Sequence, residues 1–267
     1  MDEDHEGPSS GSTVAEGVSF QVSNGIRRIR INRPRTRNAL VVEDRIALGN
    51  ALSSADQDPA TRVVVVSGTD GNFCSGADIG ELALRRDERE VRAYASSVAQ
   101  TVFRSLRTMR KPTIAEVEGS AAGAGMYLAL GCDVVIASED AMFHPSHSRI
   151  GLVPDWGALW ILPRLVGLAR ARVILLGGRP VPATTAAAWG MIADAVPAGM
   201  LRNTVERYCA DLTSGTDLSI GLTRAGLDIS EDSRLEEFLE WEADAIAKTL
   251  ADREHRDRVA AFLDRKR

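Results

Sequence analysis

The sequence predicts an α/β fold in which parallel strands are joined by crossover helices, followed by a purely helical region. Three observations carry this expectation. Residues 62–68, RVVVVSG, form a continuous β-branched run of the kind buried on both faces of a parallel sheet. Strand-length apolar runs alternate with stretches of helical period up to about residue 197. From Gly199 onward the strand pattern stops, and Leu235, Phe238, Leu239, Ile246 and Leu250 recur at helical spacing.

Each element follows in order. The opening MDEDHEGPSSGSTVAEG is acidic and rich in Gly and Ser, so residues 1–15 read as a disordered tail without the basic start and apolar stretch of a signal peptide. VSFQVSNGIRRIRI alternates apolar and polar positions on either side of Asn24-Gly25, the pair a type I′ hairpin turn favours. NRPRTRNALVVEDRIALGNALSSA gives a loop and then an amphipathic helix. RVVVVSG is the next strand, and the glycine-bearing loop TDGNFCSGADIGEL follows it. Residues 87–109 read as helical. PTIAEVEG is a strand leading into SAAGAGMYLALG, a small-residue stretch that opens a helix, and CDVVIAS is a further short strand. Residues 16–198 are the expected core and 199–267 the expected C-terminal helical region; no internal repeat interrupts them.

Composition excludes several classes of function. The 267 residues are 44% hydrophobic and 26% charged, enough for a substantial core. A formal net charge of -5 leaves no basic footprint for nucleic acid. No run of about 18 apolar residues exists to span a membrane. Cys74, Cys132 and Cys209 have no CxxC spacing, so reduced thiols in a cytoplasmic protein are expected rather than disulfides or zinc. His5, His144, His147 and His255 form no HExxH pattern, and no metal or separate cofactor is expected.

Two loops carry the chemistry. Residues 73–79 (FCSGADI) and 119–125 (GSAAGAG) each put small residues where a strand turns into a helix. Backbone N–H groups there can approach a ligand oxygen closely, and the following helix dipole favours negative charge. Two such loops in one α/β domain suggest a pair of donors converging on one oxyanion. Neither is GxGxxG in a suitable βαβ unit, nor GxxxxGK[ST], so dinucleotide and P-loop readings fail. A third stretch, GLVPDWGALW, sets one carboxylate, Asp155, among apolar residues. From its neighbours alone Asp155 reads as an N-cap, because Pro154 precedes it and an apolar helical run follows.

From about residue 18 to residue 267 the chain resembles the crotonase superfamily, also called the enoyl-CoA hydratase/isomerase family. The resemblance rests on INRPRTRNAL, FCSGADI, KPTIAEVEGSAAGAG, LALGCDVVIASEDAMF, IGLVPDWGALWILPRLVG and GGRPVPATTAAAWGMIADAVP, in this order. It implies a crotonase-like spiral core of repeated ββα turns, a C-terminal helical trimerisation region, and an acyl-CoA thioester as ligand, in a homotrimer or dimer of trimers. It further implies that two backbone N–H groups, matched by motif to Ser75 and Ala124, bind the thioester carbonyl, each worth about 3–4 kcal/mol at an enolate-like transition state. Arg37 matches a position that is often basic near CoA phosphates, and read alone it is equally a solvated surface arginine. Ala39, Ala77, Asp78 and Ile79 complete the expected CoA-binding loops. Leu82, Trp156 and Leu159, with Leu84, are the expected acyl-pocket residues.

The chain departs from the hydratases of that family at two positions. Their two water-handling glutamates are replaced by Tyr127 and His147. The resemblance therefore points to the isomerases with a Pro-Asp-x-Gly sequence, in which one carboxylate moves a proton between carbons. Asp155 matches that carboxylate, and desolvation in an apolar site would raise its basicity. His147 is either an acid/base group or a partly exposed loop histidine. Tyr127 either donates a hydrogen bond to the acyl group or packs. Trp160 reads as pocket wall or core, Glu81 and Glu118 as surface or loop-positioning groups, Asp78 as a helix cap and Asp133 as a turn holder. Hydration, thioester or carbon–carbon hydrolysis through His147 and Asp155, and a non-catalytic acyl-CoA-binding homologue are the alternatives to isomerisation.

Overall fold

A computed structural model describes residues 12–84 and 87–264. The chain opens with strand β1 (Ser12–Ala15), which pairs antiparallel with β2 (Val18–Ser23). The expected tail, residues 1–15, thus contains a strand over its last four residues, Ser-Thr-Val-Ala. Residues 1–11 lie outside the described residues. β2 and β3 (Ile26–Ile31) form the expected hairpin, with Asn24 (φ 51°) and Gly25 (φ 78°) both left-handed. Then come α1 (Val42–Gln57), β4 (Val63–Gly68), α2 (Ile79–Leu84) and α3 (Glu88–Tyr94). One π-helical turn, Ala95–Ala99, joins α3 to α4 (Gln100–Thr108), so the helical run expected over 87–109 changes pitch in its middle.

β5 (Thr113–Val117), β6 (Ser120–Ala122) and α5 (Ala124–Gly131) come next. The small-residue stretch expected to open a helix is therefore a short strand first, and the helix starts only at Ala124. β7 (Val134–Ser138), β8 (Met142–His144), α6 (Ala158–Gly177), β9 (Val181–Pro182), α7 (Ala183–Ala188) and β10 (Asp194–Val196) complete the sheets. The main sheet runs β1-β2-β3-β4-β5-β7-β10 and is parallel from β3 onward; β6-β8-β9 form a second, small sheet.

Alternation along β4 shows why the valine run had to be continuous. Val64 and Val66 face the main core with Leu48 and Leu52 of α1, whereas Val63 and Val65 face Leu201, Val205 and Cys209. Those three residues belong to α8 (Leu201–Leu212), which covers the second face of the sheet. α9 (Asp217–Ser230), α10 (Leu235–Ala251) and α11 (Arg253–Asp264) follow as the helical region. Leu235, Leu239, Ile246 and Leu250 on α10 are exposed in the single chain, so the helical periodicity is real but its apolar face is uncovered. Asp133 holds more than a turn: its carboxylate accepts from the Thr113 N–H and hydroxyl and from buried Arg224 of α9, tying α9 to the core.

Candidate active site

Three loops meet at the ends of the strands. The first follows β3. Pro34–Thr36 make one 3-10 turn, and Arg37 (φ 52°) and Asn38 (φ 61°) then reverse the chain in left-handed conformations. Asn38 is fully buried and acts as a knot. Its amide donates to the carbonyls of Thr69 (2.9 Å) and Asn72 (2.7 Å), and its oxygen accepts from the Arg33 N–H (2.8 Å). The loop after β3 is thereby fixed against the loop after β4.

That contact decides which backbone donors of the FCSGADI loop are spare. Ser75 N–H donates to the Arg37 carbonyl at 3.0 Å, and the Ser75 hydroxyl donates to Thr36 O at 2.9 Å. The expected donor of this loop is therefore already engaged. Leu40 N donates to Gly76 O (2.7 Å) and Asp78 N donates to Leu40 O (3.0 Å). Ala77 sits between these two bonds, so its own N–H faces away from Leu40. Among the described residues the Ala77 N–H has no hydrogen-bond partner. The candidate donor is Ala77 rather than Ser75.

The second loop lies against the first. Cys74 N donates to Ser120 O and Ala122 N donates to Cys74 O, while Gly123 N donates to His144 O at 2.8 Å. Gly76, at φ +100°, is in close contact with this loop: a Cβ there would stand 2.7 Å from Ala122 O and 3.3 Å from Ala124 N. Only glycine fits. α5 begins at Ala124, and its first backward bond is Tyr127 N to Gly123 O, so the Ala124 N–H is one of the spare donors at a helix N-terminus. Among the described residues, the amides of Ala77 and Ala124 are thus unpaired donors, one on each of two touching loops. The other expected CoA contacts lie on the same rim: Ala39 is buried, and the side chains of Arg37 and Ile79 are exposed. Asp78 accepts from Glu81 N at 3.1 Å and caps α2. Glu81 in turn binds the buried Arg45 (2.6 Å) and the Val42 N–H, which docks α2 on α1. Glu118 is exposed.

The third loop supplies the ionisable groups. His147, on the 3-10 turn Ser146–Ile150, places Nε2 3.0 Å from Asp155 Oδ1. The histidine side chain is 8% exposed and the aspartate side chain 50%, so a buried ring holds a carboxylate that remains open to solvent. This overturns two expectations. His147 is not a partly exposed loop residue, and Asp155 is not an N-cap. α6 starts at Ala158 behind a left-handed Gly157, and Asp155 meets the helix only through its carbonyl, which accepts from Ala158 N at 3.0 Å. The carboxylate is also less desolvated than its apolar neighbours suggested, because Leu152, Val153 and Leu159 point largely outward. Hydrogen bonding, not burial, is its main environment.

Tyr127 is fully buried, one helical turn beyond Gly123, with its ring 5.6 Å from that of His147. Burial first, and the Asp155 charge second, push the phenol well above its usual range, which keeps it a neutral donor. Its Oη and His147 Nδ1 are both buried without a partner among the described residues. The Trp156 side chain is 2% exposed and belongs to the core, so it is corrected from the acyl-pocket wall. Leu82 is half-buried, and Leu84 and Leu159 are exposed around the opening. Trp160 packs edge-on to Phe103 and under the Arg164 guanidinium. Among the described residues no group of three His, Cys, Asp or Glu could hold a metal ion, and no helix is long and apolar enough to cross a membrane.

Comparison with known proteins identifies the family. The sequence profile described as enoyl-CoA hydratase/isomerase matches residues 21–267. The chain is 31% identical over 252 residues to the 1,2-epoxyphenylacetyl-CoA isomerase of Escherichia coli, covering 94% of this chain and 96% of that one. It is 28% identical to the crotonyl-CoA hydratase of Syntrophomonas wolfei, covering 94% and 96%. The crystal structure of an enoyl-CoA hydratase from Polaromonas sp. JS666 superposes with a TM-score of 0.88 at 32% identity, covering 93% of this chain and 97% of that one. With that fold and a profile match over nearly its whole length, the chain belongs to the enoyl-CoA hydratase/isomerase family, the crotonase superfamily.

Proposed function

We propose that this acyl-CoA enzyme is an enoyl-CoA isomerase. The observation that carries the reading is the His147–Asp155 pair at 3.0 Å, with its carboxylate half exposed and its histidine ring packed against Tyr127 of the helix that Ala124 opens. The thioester oxygen of a 3-enoyl-CoA accepts hydrogen bonds from the Ala77 and Ala124 N–H groups. Asp155 removes a proton from C2, and the electron pair delocalises into a dienolate whose negative charge rests on that oxygen. The same carboxyl returns the proton to C4, giving the 2-enoyl-CoA. The two amides stabilise charge only as it develops, which is where such donors act. His147 donates to Asp155 and fixes its orientation, and Tyr127 remains a neutral donor beside it. The uncovered apolar face of α10 fits assembly as a homotrimer or dimer of trimers, and three buried free thiols fit a cytoplasmic setting.

The test is proton exchange. Wild type and Asp155→Asn are incubated with a 3-enoyl-CoA in deuterated water, and 2-enoyl product and deuterium uptake are followed by mass spectrometry. Product and exchange from wild type, both lost in Asp155→Asn with CoA binding kept, support the reading; equal rates in both proteins overturn it. One observation favours a second reading. His147 Nδ1 and the Tyr127 hydroxyl, both without a partner among the described residues and on rings 5.6 Å apart, are an acceptor and a donor of the kind that could hold water for hydration or hydrolysis. Water addition to a 2-enoyl-CoA, or acyl cleavage, that is lost in His147→Gln would move the assignment there.

A further inference from the structure

Asp155 is followed by two left-handed residues, Trp156 (φ 54°) and Gly157 (φ 72°), and Ala158 N closes on the Asp155 carbonyl at 3.0 Å. Two positive φ angles inside an i to i+3 hydrogen bond are the signature of a type I′ turn, whose central positions ordinarily hold Asn-Gly. The Gly157 position is closed to any side chain, because a Cβ there would stand 2.3 Å from Phe103 Cε1. A bulky aromatic at the Trp156 position is an outlier for this backbone. Such strain persists only where the surroundings over-determine it. Here the determinant is burial: the indole is 2% exposed within the main core.

The consequence falls on the preceding residue. The Asp155 side chain is half exposed, and among the described residues its hydrogen bond is to His147 Nε2. Its backbone, however, lies between Pro154, with its fixed φ, and the buried Trp156.

We propose that Trp156 is a positioning residue for Asp155: the buried indole locks the strained turn, and the turn aims the carboxylate at His147. This rests on the reading of Asp155 as the reacting carboxylate. A role limited to core packing would lower stability and leave turnover alone, whereas a positioning role separates kcat from KM.

The experiment is a series at this position, Trp156→Phe, Trp156→Leu and Trp156→Asn, with Asp155→Asn beside it. Each is assayed for kcat, KM and deuterium uptake from a 3-enoyl-CoA at a temperature well below its own melting midpoint. Asn accepts the left-handed backbone without the anchor, so Trp156→Asn is expected to lose about 100-fold in kcat, as misplacements near 1 Å do, with KM held within about two-fold. Phe keeps an aromatic anchor and is expected to recover most of that loss, with Leu between them. Any folded member of the series reads the effect. Wild-type kcat across the folded members, with Asp155→Asn inactive, overturns the positioning role alone. Wild-type kcat in Asp155→Asn overturns the underlying assignment as well.

Discussion

Gly76→Ala tests the contact between the two donor loops directly. The structure sets the size of the effect. Gly76 has φ +100°, where an alanine carries a backbone penalty of about 1–3 kcal/mol. Its new Cβ would stand 2.7 Å from Ala122 O and 3.3 Å from Ala124 N, a backbone overlap worth about another 1–3 kcal/mol. For a chain of this size the two together lower the melting midpoint by on the order of 5–20 °C. Gly71→Ala separates the two contributions, because Gly71 also has a positive φ (+70°) but its Cβ would meet nothing within 4 Å. Only the smaller, backbone share is expected there. The functional effect is distinct from the thermal one. Relieving the overlap moves the Ala124 amide away from Ala77, and losing one such donor lowers kcat by about 100- to 1000-fold. The assay is turnover of an enoyl-CoA, on protein shown to be folded by circular dichroism, with the infrared carbonyl stretch of a bound thioester alongside. A destabilised Gly76→Ala with wild-type kcat and an unchanged carbonyl shift would refute the reasoning, since the touching loops would then not be where the thioester oxygen sits.

Other outcomes follow from the same structure. Asp133→Ala leaves the buried Arg224 guanidinium without its carboxylate, a loss of about 3–5 kcal/mol that a thermal scan should show as a fall of roughly 6–20 °C. Burial pushes the thiols of Cys74 and Cys132 up to about 12 and that of Cys209 to about 11, so none should react with a disulfide reagent at pH 8 until denaturant exposes all three. Burial, and after it the charge of Arg149, lowers His144 from its ordinary 6.5. The folded state thus favours the neutral ring. Its contribution is complete above the ordinary value and is lost as pH falls through the lowered one, so the melting midpoint should fall below about pH 6.5. His144→Gln should flatten that dependence, and an unchanged slope would assign it to other groups.

Local pattern was enough for much of this molecule. Asn24-Gly25 specifies its hairpin because the turn needs two positive φ angles that this pair adopts at little penalty. The run from Val63 to Val66 specifies a strand covered on both faces because every side chain along it is apolar and branched. The recurrence of Leu235, Leu239, Ile246 and Leu250 specifies helix in the same way. The short strands of the second sheet were not legible: Ser120–Ala122 and Met142–His144 are too brief to carry a period, and their pairing is what makes them strands. The candidate site divides along the same line. Sequence located the three loops and the residues Ala124, Tyr127, His147 and Asp155. Only the tertiary structure shows that the Ser75 N–H is engaged, because a carbonyl 38 positions upstream, that of Arg37, takes it and leaves the Ala77 N–H without a partner among the described residues. It likewise showed that Asp155, which its neighbours in sequence alone read as a helix cap, is the partner of a buried histidine. Local sequence sets which conformations a segment prefers, but which hydrogen-bonding groups remain free is settled only when distant segments claim their partners.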